Sequence, residues 1–159
     1  MDVMERNRSF GWWCLLCWLT LGMLLEAMHG FKVGWYLDVV NEPRRLQLTL
    51  AHSHGTLLAI VNLVFVATAR APTGQTRSLD RAGACLRWAG LLMPMGFLLG
   101  GVFAIGPDPG FAIALVPIGG FLLFTGVLLT LRSLRASAAG GGPVPPVGSA
   151  KPDKSAKQA

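Results

Sequence analysis

Four long apolar stretches alternate with short polar segments along this chain. They cover residues 10–29, 47–68, 84–105 and 110–131, and each reaches the ~20 residues that a helix needs to cross a bilayer. The first stretch exceeds the ~7–15-residue apolar core of a signal peptide, so we expect it to be retained. The pattern predicts an all-α integral membrane protein, with a four-helix bundle formed by residues 1–135.

The end of the chain has a different composition. Residues 136–159 are rich in Ala, Gly, Pro, Ser and Lys and contain almost no large apolar side chain. Such a segment cannot bury enough apolar surface to offset the entropy lost on folding. We therefore predict a disordered cytoplasmic tail over residues 136–159.

Basic residues are distributed unevenly around the apolar stretches. The net charge of +6 could indicate a protein that binds nucleic acid. However, 11 of the 14 Lys and Arg residues lie before the first stretch, from the second stretch to the start of the third, or after the fourth. These segments fall on one side of a four-span protein, so the positive-inside rule predicts that both termini are cytoplasmic. The charge thus indicates topology in a bacterial inner membrane, with the lipid bilayer as partner and no nucleic acid.

Four ionisable side chains lie deep in the first two stretches. They are Glu26, His29, His52 and His54. Ionisable groups are expensive within a membrane, so each is a functional-site hypothesis by default. At ~1.5 Å of rise per residue, all four lie ~6–13 Å outward of their helix centres. Their common depth predicts one site in the outer leaflet.

Helical geometry gives these residues different roles. Glu26 and His29 are three residues apart and share a helix face. His52 and His54 diverge by roughly 200° around a regular helix. We expect His54 to face inward with Glu26 and His29, because the deeper residue is more costly against lipid. His52 is then a supporting residue.

This set of side chains suits several chemistries. Imidazole and carboxylate bind Cu, Fe or Zn, and two facing histidines could be axial ligands of a haem. Met28, Met93 and Met95 would add thioethers for Cu(I), although methionine in an apolar helix is usually a packing residue. Without a metal, Glu and His could relay protons or hydrogen-bond between helices and stabilise the bundle. Asp38 and Asp108, in the outer connections, are expected to cover the mouth of the site.

The second stretch contains a segment with a family resemblance. Residues 50–58, Leu-Ala-His-Ser-His-Gly-Thr-Leu-Leu, resemble the Ala-His-x-His-x-x-Leu-Leu stretch of small four-helix bacterial membrane proteins, which are similar in appearance to haem-copper oxidase catalytic subunits. The resemblance implies that His52 or His54 is a haem or metal ligand. It covers nine residues of one helix, and most of the oxidase fold is missing, so it implies cofactor binding without oxygen reduction.

The first stretch is similar in one respect to another family. Small multidrug resistance transporters are four-helix proteins with a glutamate in their first helix, and Glu26 is similar in kind. This resemblance implies proton-coupled transport. Glu26 lies outward of the membrane centre, however, where that family places its glutamate.

These observations lead to one expected function and two alternatives. We expect a small polytopic membrane protein that binds a metal ion or haem at an outer-leaflet Glu/His site, for electron transfer or metal handling. The alternatives are a proton-coupled transporter and a non-catalytic helper subunit. A helper would use Gly96 and Gly100, whose spacing allows close helix approach, for contacts in a homo-oligomer or a larger membrane complex.

Overall fold

The structure, a computed structural model, describes residues 2–39, 42–69, 76–104, 108 and 110–140, and the chain is all-helical within them. The long helices are α1 (Val3–Gly30), α3 (Glu42–Thr68), α4 (Thr76–Val102) and α5 (Leu115–Gly140). A one-turn helix, α2 (Gly34–Leu37), follows α1, and a 3-10 turn, Phe111–Ala114, precedes α5. Four helices are long and apolar enough to cross a membrane, which confirms the predicted number. Residues 141–159, most of the predicted tail, lie outside the described ranges.

The helices extend beyond the apolar stretches that predicted them. We call the end of the bundle where α1 begins the inner end and the opposite end the outer end. The first turn of α1 is capped by Asp2, whose carboxylate accepts a hydrogen bond from the Val3 N–H at 2.6 Å. A cap of this kind satisfies a backbone donor that would otherwise have no partner. Hydropathy detects only the part of a helix that can cross lipid, so it misses such polar turns.

The four long helices pack in chain order. α1 packs on α3, α3 on α4 and α4 on α5, so α3 and α4 occupy the middle of the bundle. Large apolar side chains on the flanking helices remain exposed, including Trp12, Met23, Phe121 and Phe124. Exposed apolar faces of this size are typical of surfaces that contact lipid or another protein.

Small residues allow α4 and α5 to approach closely. A Cβ atom added to Gly119 would lie 2.8 Å from the backbone nitrogen of Met93, and one added to Gly96 would lie 3.0 Å from Val116. Gly96 therefore serves contacts within the chain, where the helper hypothesis expected contacts with a partner. Small residues lie seven positions apart along this part of the chain, at Ala112 in the 3-10 turn and at Gly119, Gly126 and Ser133 in α5.

Two buried asparagines join α1, α3 and α4 near the inner end. The Asn7 amide nitrogen donates to the Asn62 side-chain oxygen at 2.8 Å and to the Gly83 carbonyl at 3.1 Å. The Asn62 amide nitrogen donates to the Leu86 carbonyl at 3.2 Å. The Arg87 guanidinium donates to the side-chain oxygen of Asn7. Both amides are almost completely buried, so this network fixes three helices with satisfied polar groups.

A buried arginine holds the α1–α3 connection over the outer end. Arg44 donates to the Trp35 carbonyl at 3.0 Å and to the Ala104 carbonyl at 3.1 Å. Its guanidinium carbon also lies 4.6 Å from the centre of the Trp35 ring, within the range of a cation–π interaction. These contacts tie α2 to the ends of α3 and α4.

Candidate functional site

An open groove of about 540 Å³ lies between α1 and α3 toward the outer end. We call it the α1–α3 groove. Its volume lies within the ~300–1,000 Å³ typical of small-molecule sites. Its walls include Glu26, His29 and His52, three of the four predicted site residues. The other lining residues are Leu19, Gly22, Met23, Leu25, Tyr36 and Thr49.

The imidazole of His52 sits directly on the backbone of α1 at Gly22. A Cβ atom added to Gly22 would lie 2.3 Å from Cε1 and 2.6 Å from Nδ1 of His52. A matching contact lies in the opposite direction, because the Trp18 ring of α1 covers Gly55 of α3. A Cβ atom added to Gly55 would lie 2.2 Å from Cδ2 of that ring. Two glycines thus allow two aromatic rings to pass between closely spaced helices.

The hydrogen bond of His52 fixes its tautomer. Its Nδ1 lies 2.8 Å from the Trp18 carbonyl oxygen, and a carbonyl oxygen can only accept, so Nδ1 carries a proton. In the neutral ring, Nε2 then has a free lone pair. Nε2 makes no hydrogen bond within the part of the chain that the structure describes, and His52 lines the α1–α3 groove. This is the arrangement in which a histidine most often ligates a metal.

The two histidines of α3 face the opposite way from the prediction: His52 lines the groove and His54 packs on α4. His54, predicted to face the site, stacks on Phe97 of α4 with ring centres 4.8 Å apart. Its Nδ1 donates to the Leu50 carbonyl of its own helix at 2.9 Å. The roughly 200° that separate residues two positions apart allow only one of the rings to face α1. That ring belongs to His52, predicted to be the supporting residue.

Glu26 and His29 share the α1 face that carries Gly22. The three residues lie four and three positions apart, which places them in a row along one side of a helix. Both Glu26 and His29 are exposed on the groove side. Glu26 and His29 thus line the groove from α1, and His52 lines it from α3.

Tyr36 completes the groove and was not among the predicted site residues. It is 6% exposed, packs with Leu25 and Leu48, and lines the groove beside Glu26. Its hydroxyl makes no hydrogen bond with another described residue, so this donor is available to a ligand. Tyr36 is the only tyrosine of the chain, and its place in an aromatic outer connection was the one available signal.

A second cavity, of about 500 Å³, continues toward the outer end. It shares His29 and Thr49 with the α1–α3 groove. Glu42 and Arg45 lie at this end and provide one acidic and one basic side chain. The second cavity thus adjoins the α1–α3 groove, and Glu42 and Arg45 lie on its walls.

The two predicted supporting aspartates lie away from the groove. Asp38 lines a small recess of about 40 Å³ with Glu42 and Arg45. The Asp108 carboxylate accepts a hydrogen bond from the Gly110 N–H at 2.8 Å, and this contact is exposed. Asp108 therefore does not line the groove, and Asp38 lies close to its outer end without lining it.

The side chains do not form a ready centre for a bare metal ion. Within the described ranges, no three His, Cys, Asp or Glu residues are grouped so that they could hold one. Met28 packs against the Leu25, Tyr36 and Leu48 cluster, and Met93 supports Gly119 of α5. These two methionines have packing roles, the usual role of methionine in an apolar helix.

Comparisons with known proteins give no relative for this architecture. No family model matches the chain, and neither a curated protein nor a solved structure shows a significant match. Arguments about function therefore depend on the geometry of the α1–α3 groove.

Proposed function

We propose that this protein binds haem in the α1–α3 groove, where Nε2 of His52 would hold the iron. The observation that carries the proposal is the position of the His52 ring against α1. Its ring occupies a space that only a glycine at position 22 leaves open, and the Trp18 carbonyl holds Nδ1. A hydrogen bond of this kind orients a ligating imidazole and raises its basicity.

The residues of the groove fit a haem better than a bare metal ion. A bare zinc ion requires three or four protein ligands, whereas the porphyrin itself surrounds the iron and one or two histidines complete its coordination. Leu19, Met23 and Leu25 provide apolar wall, which suits the macrocycle. When bound, haem supplies one-electron exchange, so electron transfer at the outer face of the membrane is the role that we infer.

Each polar residue of the groove has a distinct task in this proposal. His52 would hold the iron through Nε2, and His29, which lines the same groove, would provide a second ligand. The hydroxyl of Tyr36 would donate a hydrogen bond to a haem propionate, and Glu26 would accept one only from a protonated propionic acid group. Because the groove is open on one side, haem can enter from the lipid.

The decisive test compares two alanine variants of neighbouring histidines. Protein produced with a supply of haem and purified in mild detergent is expected to show a Soret band. His52→Ala should weaken haem affinity by roughly ten-fold or more, because it removes the ligand itself. His54→Ala makes the same chemical change two residues away, on the α4 side, and should bind haem like the wild type. A wild-type protein that takes up no haem in titration, or equal losses in both variants, would contradict the proposal.

The role of His29 predicts a change in coordination rather than loss of haem. His29→Ala is expected to retain haem through His52, because it would remove only one of the two histidines that would hold the iron. The spin state of the iron should then change, which visible absorption and electron paramagnetic resonance measure. Spectra identical to those of the wild type would show that His29 is not a ligand, and would leave the assignment of His52 to its own test.

A further inference from the structure

We propose that the inner end of the bundle binds the phosphate headgroup of an anionic phospholipid at the seam between α1 and α4. The residues that carry this proposal are Arg87, held by Asn7, and Arg6, one residue before Asn7. They lie far from the α1–α3 groove, so the proposal is independent of haem binding.

Arg87 presents a cationic group that the protein positions but does not neutralise. Its guanidinium donates to the side-chain oxygen of Asn7, and Asn7 is itself fixed by Asn62 and Gly83. Among the described residues, no carboxylate forms an ion pair with Arg87. Arg87 is partly exposed.

The neighbouring carboxylate is already engaged. Asp80 lies two helical turns before Arg87 on α4, and its Oδ1 is 3.6 Å from Nη2 of Arg6. Two guanidinium groups thus flank one seam together with a single carboxylate. The two guanidinium groups and the one carboxylate leave a net positive charge at this seam. A phosphate group can neutralise that charge and accept hydrogen bonds from the guanidinium groups.

The whole inner end has the same excess of positive charge. Its described residues include seven arginines but three acidic residues, Asp2, Glu5 and Asp80. The outer end has no such excess of positive charge. Its described residues include three basic side chains, Lys32, Arg44 and Arg45, and four acidic ones, Glu26, Asp38, Glu42 and Asp108. The arginines of the inner end are Arg6, Arg8, Arg77, Arg81, Arg87, Arg132 and Arg135.

Exposed tryptophans mark the depth at which this seam lies. Trp12, Trp13 and Trp88 are 61%, 67% and 56% exposed, and indoles concentrate where lipid headgroups meet the hydrocarbon core. Trp88 follows Arg87 directly, so the guanidinium lies close to headgroup level. An arginine next to lipid requires polar partners. Its planar guanidinium group can donate two parallel hydrogen bonds to two oxygens of one phosphate. A lipid phosphate therefore satisfies both the charge and the geometry.

The test measures lipid binding with a matched pair of arginine variants. Native mass spectrometry of the full chain in detergent should detect tighter binding of phosphatidylglycerol than of phosphatidylcholine. Arg87→Gln is expected to weaken phosphatidylglycerol binding about five-fold, the effect of one basic residue near an anionic surface. Arg45→Gln, which removes an exposed arginine at the outer end, should leave it unchanged.

Two further measurements serve as controls. One tests whether the variant damages the bundle, and the other tests whether any anion can replace the lipid. Arg87→Lys keeps the charge and should recover part of the preference, which distinguishes lipid binding from damage to the Asn7 network. Inorganic phosphate at equal concentration should not displace the lipid, because a soluble anion lacks the anchoring chains. Equal binding of both lipids by the wild type, or equal losses in the Arg87 and Arg45 variants, would overturn the proposal.

Discussion

Gly22→Val is expected to abolish haem binding although it removes no polar group from the α1–α3 groove. A Cβ atom at position 22 would lie 2.3 Å from Cε1 of His52, a separation that no real contact allows. The imidazole would have to leave the Trp18 carbonyl, and the orientation of Nε2 would be lost with it. Disrupting the support of a ligand typically costs ~10–100-fold in affinity, and valine here displaces the ligand itself. Titration of the purified variant with haem, followed at the Soret band, measures the loss.

Two glycine variants on the same helix serve as controls for Gly22→Val. Gly11 also faces α3, and an added Cβ would lie 2.8 Å from Cδ2 of Leu63, so Gly11→Val disturbs helix packing far from the groove. It should lower stability and retain haem. Gly30→Ala meets no atom within 4 Å and should change neither property. If Gly22→Val bound haem as tightly as the wild type, His52 could not be the ligand in the position described.

The number and type of the helices could be predicted because lipid crossing imposes a length of apolar sequence. Common depth predicted a shared site for Glu26, His29, His52 and His54, and three of them line one groove. That this groove is a functional site stays a prediction. The helix ends could not be predicted, because they depend on caps such as Asp2 and on polar turns outside the apolar stretches. Hydropathy contains no information about those turns.

The choice between His52 and His54 required information that spacing does not contain. Spacing shows that the two rings diverge, but the rotation of α3 about its axis decides which of them faces α1. That rotation follows from contacts such as Trp18 on Gly55. The depth argument favoured His54, yet His54 satisfies its ring within its own helix, through Leu50, and on Phe97. A partly buried polar ring thus does not have to face a site.

Isolated glycines within the apolar stretches indicate where a neighbouring helix approaches closely. A glycine inside a helical stretch has a cost, so its presence often marks a close approach. Gly22 and Gly55 each lie opposite an aromatic ring of the neighbouring helix. From sequence alone, the identity of that ring could not be known, because it depends on the register between α1 and α3.

The second large effect is expected from the asparagine network, which a double-mutant cycle can dissect. Asn7→Leu removes the acceptor of Arg87 and the donor to Asn62. It should destabilise the bundle by ~1–3 kcal/mol, because groups that lose their partners stay buried. Asn62→Leu should cost less, since Asn7 keeps its bonds to Gly83 and Arg87. Unfolding in mixed micelles with increasing sodium dodecyl sulfate, followed by circular dichroism, measures both.

The double variant distinguishes a network from two separate contacts. If the amides act together, the loss in Asn7→Leu/Asn62→Leu should be smaller than the sum of the single losses, with a coupling of ~1 kcal/mol. Thr125→Val removes a hydroxyl that bonds only to the Phe121 carbonyl of its own helix and should be nearly neutral. Strictly additive losses would mean that Asn7 and Asn62 contribute independently. Haem binding should persist in all of these variants, because the network lies at the inner end and the α1–α3 groove toward the outer one.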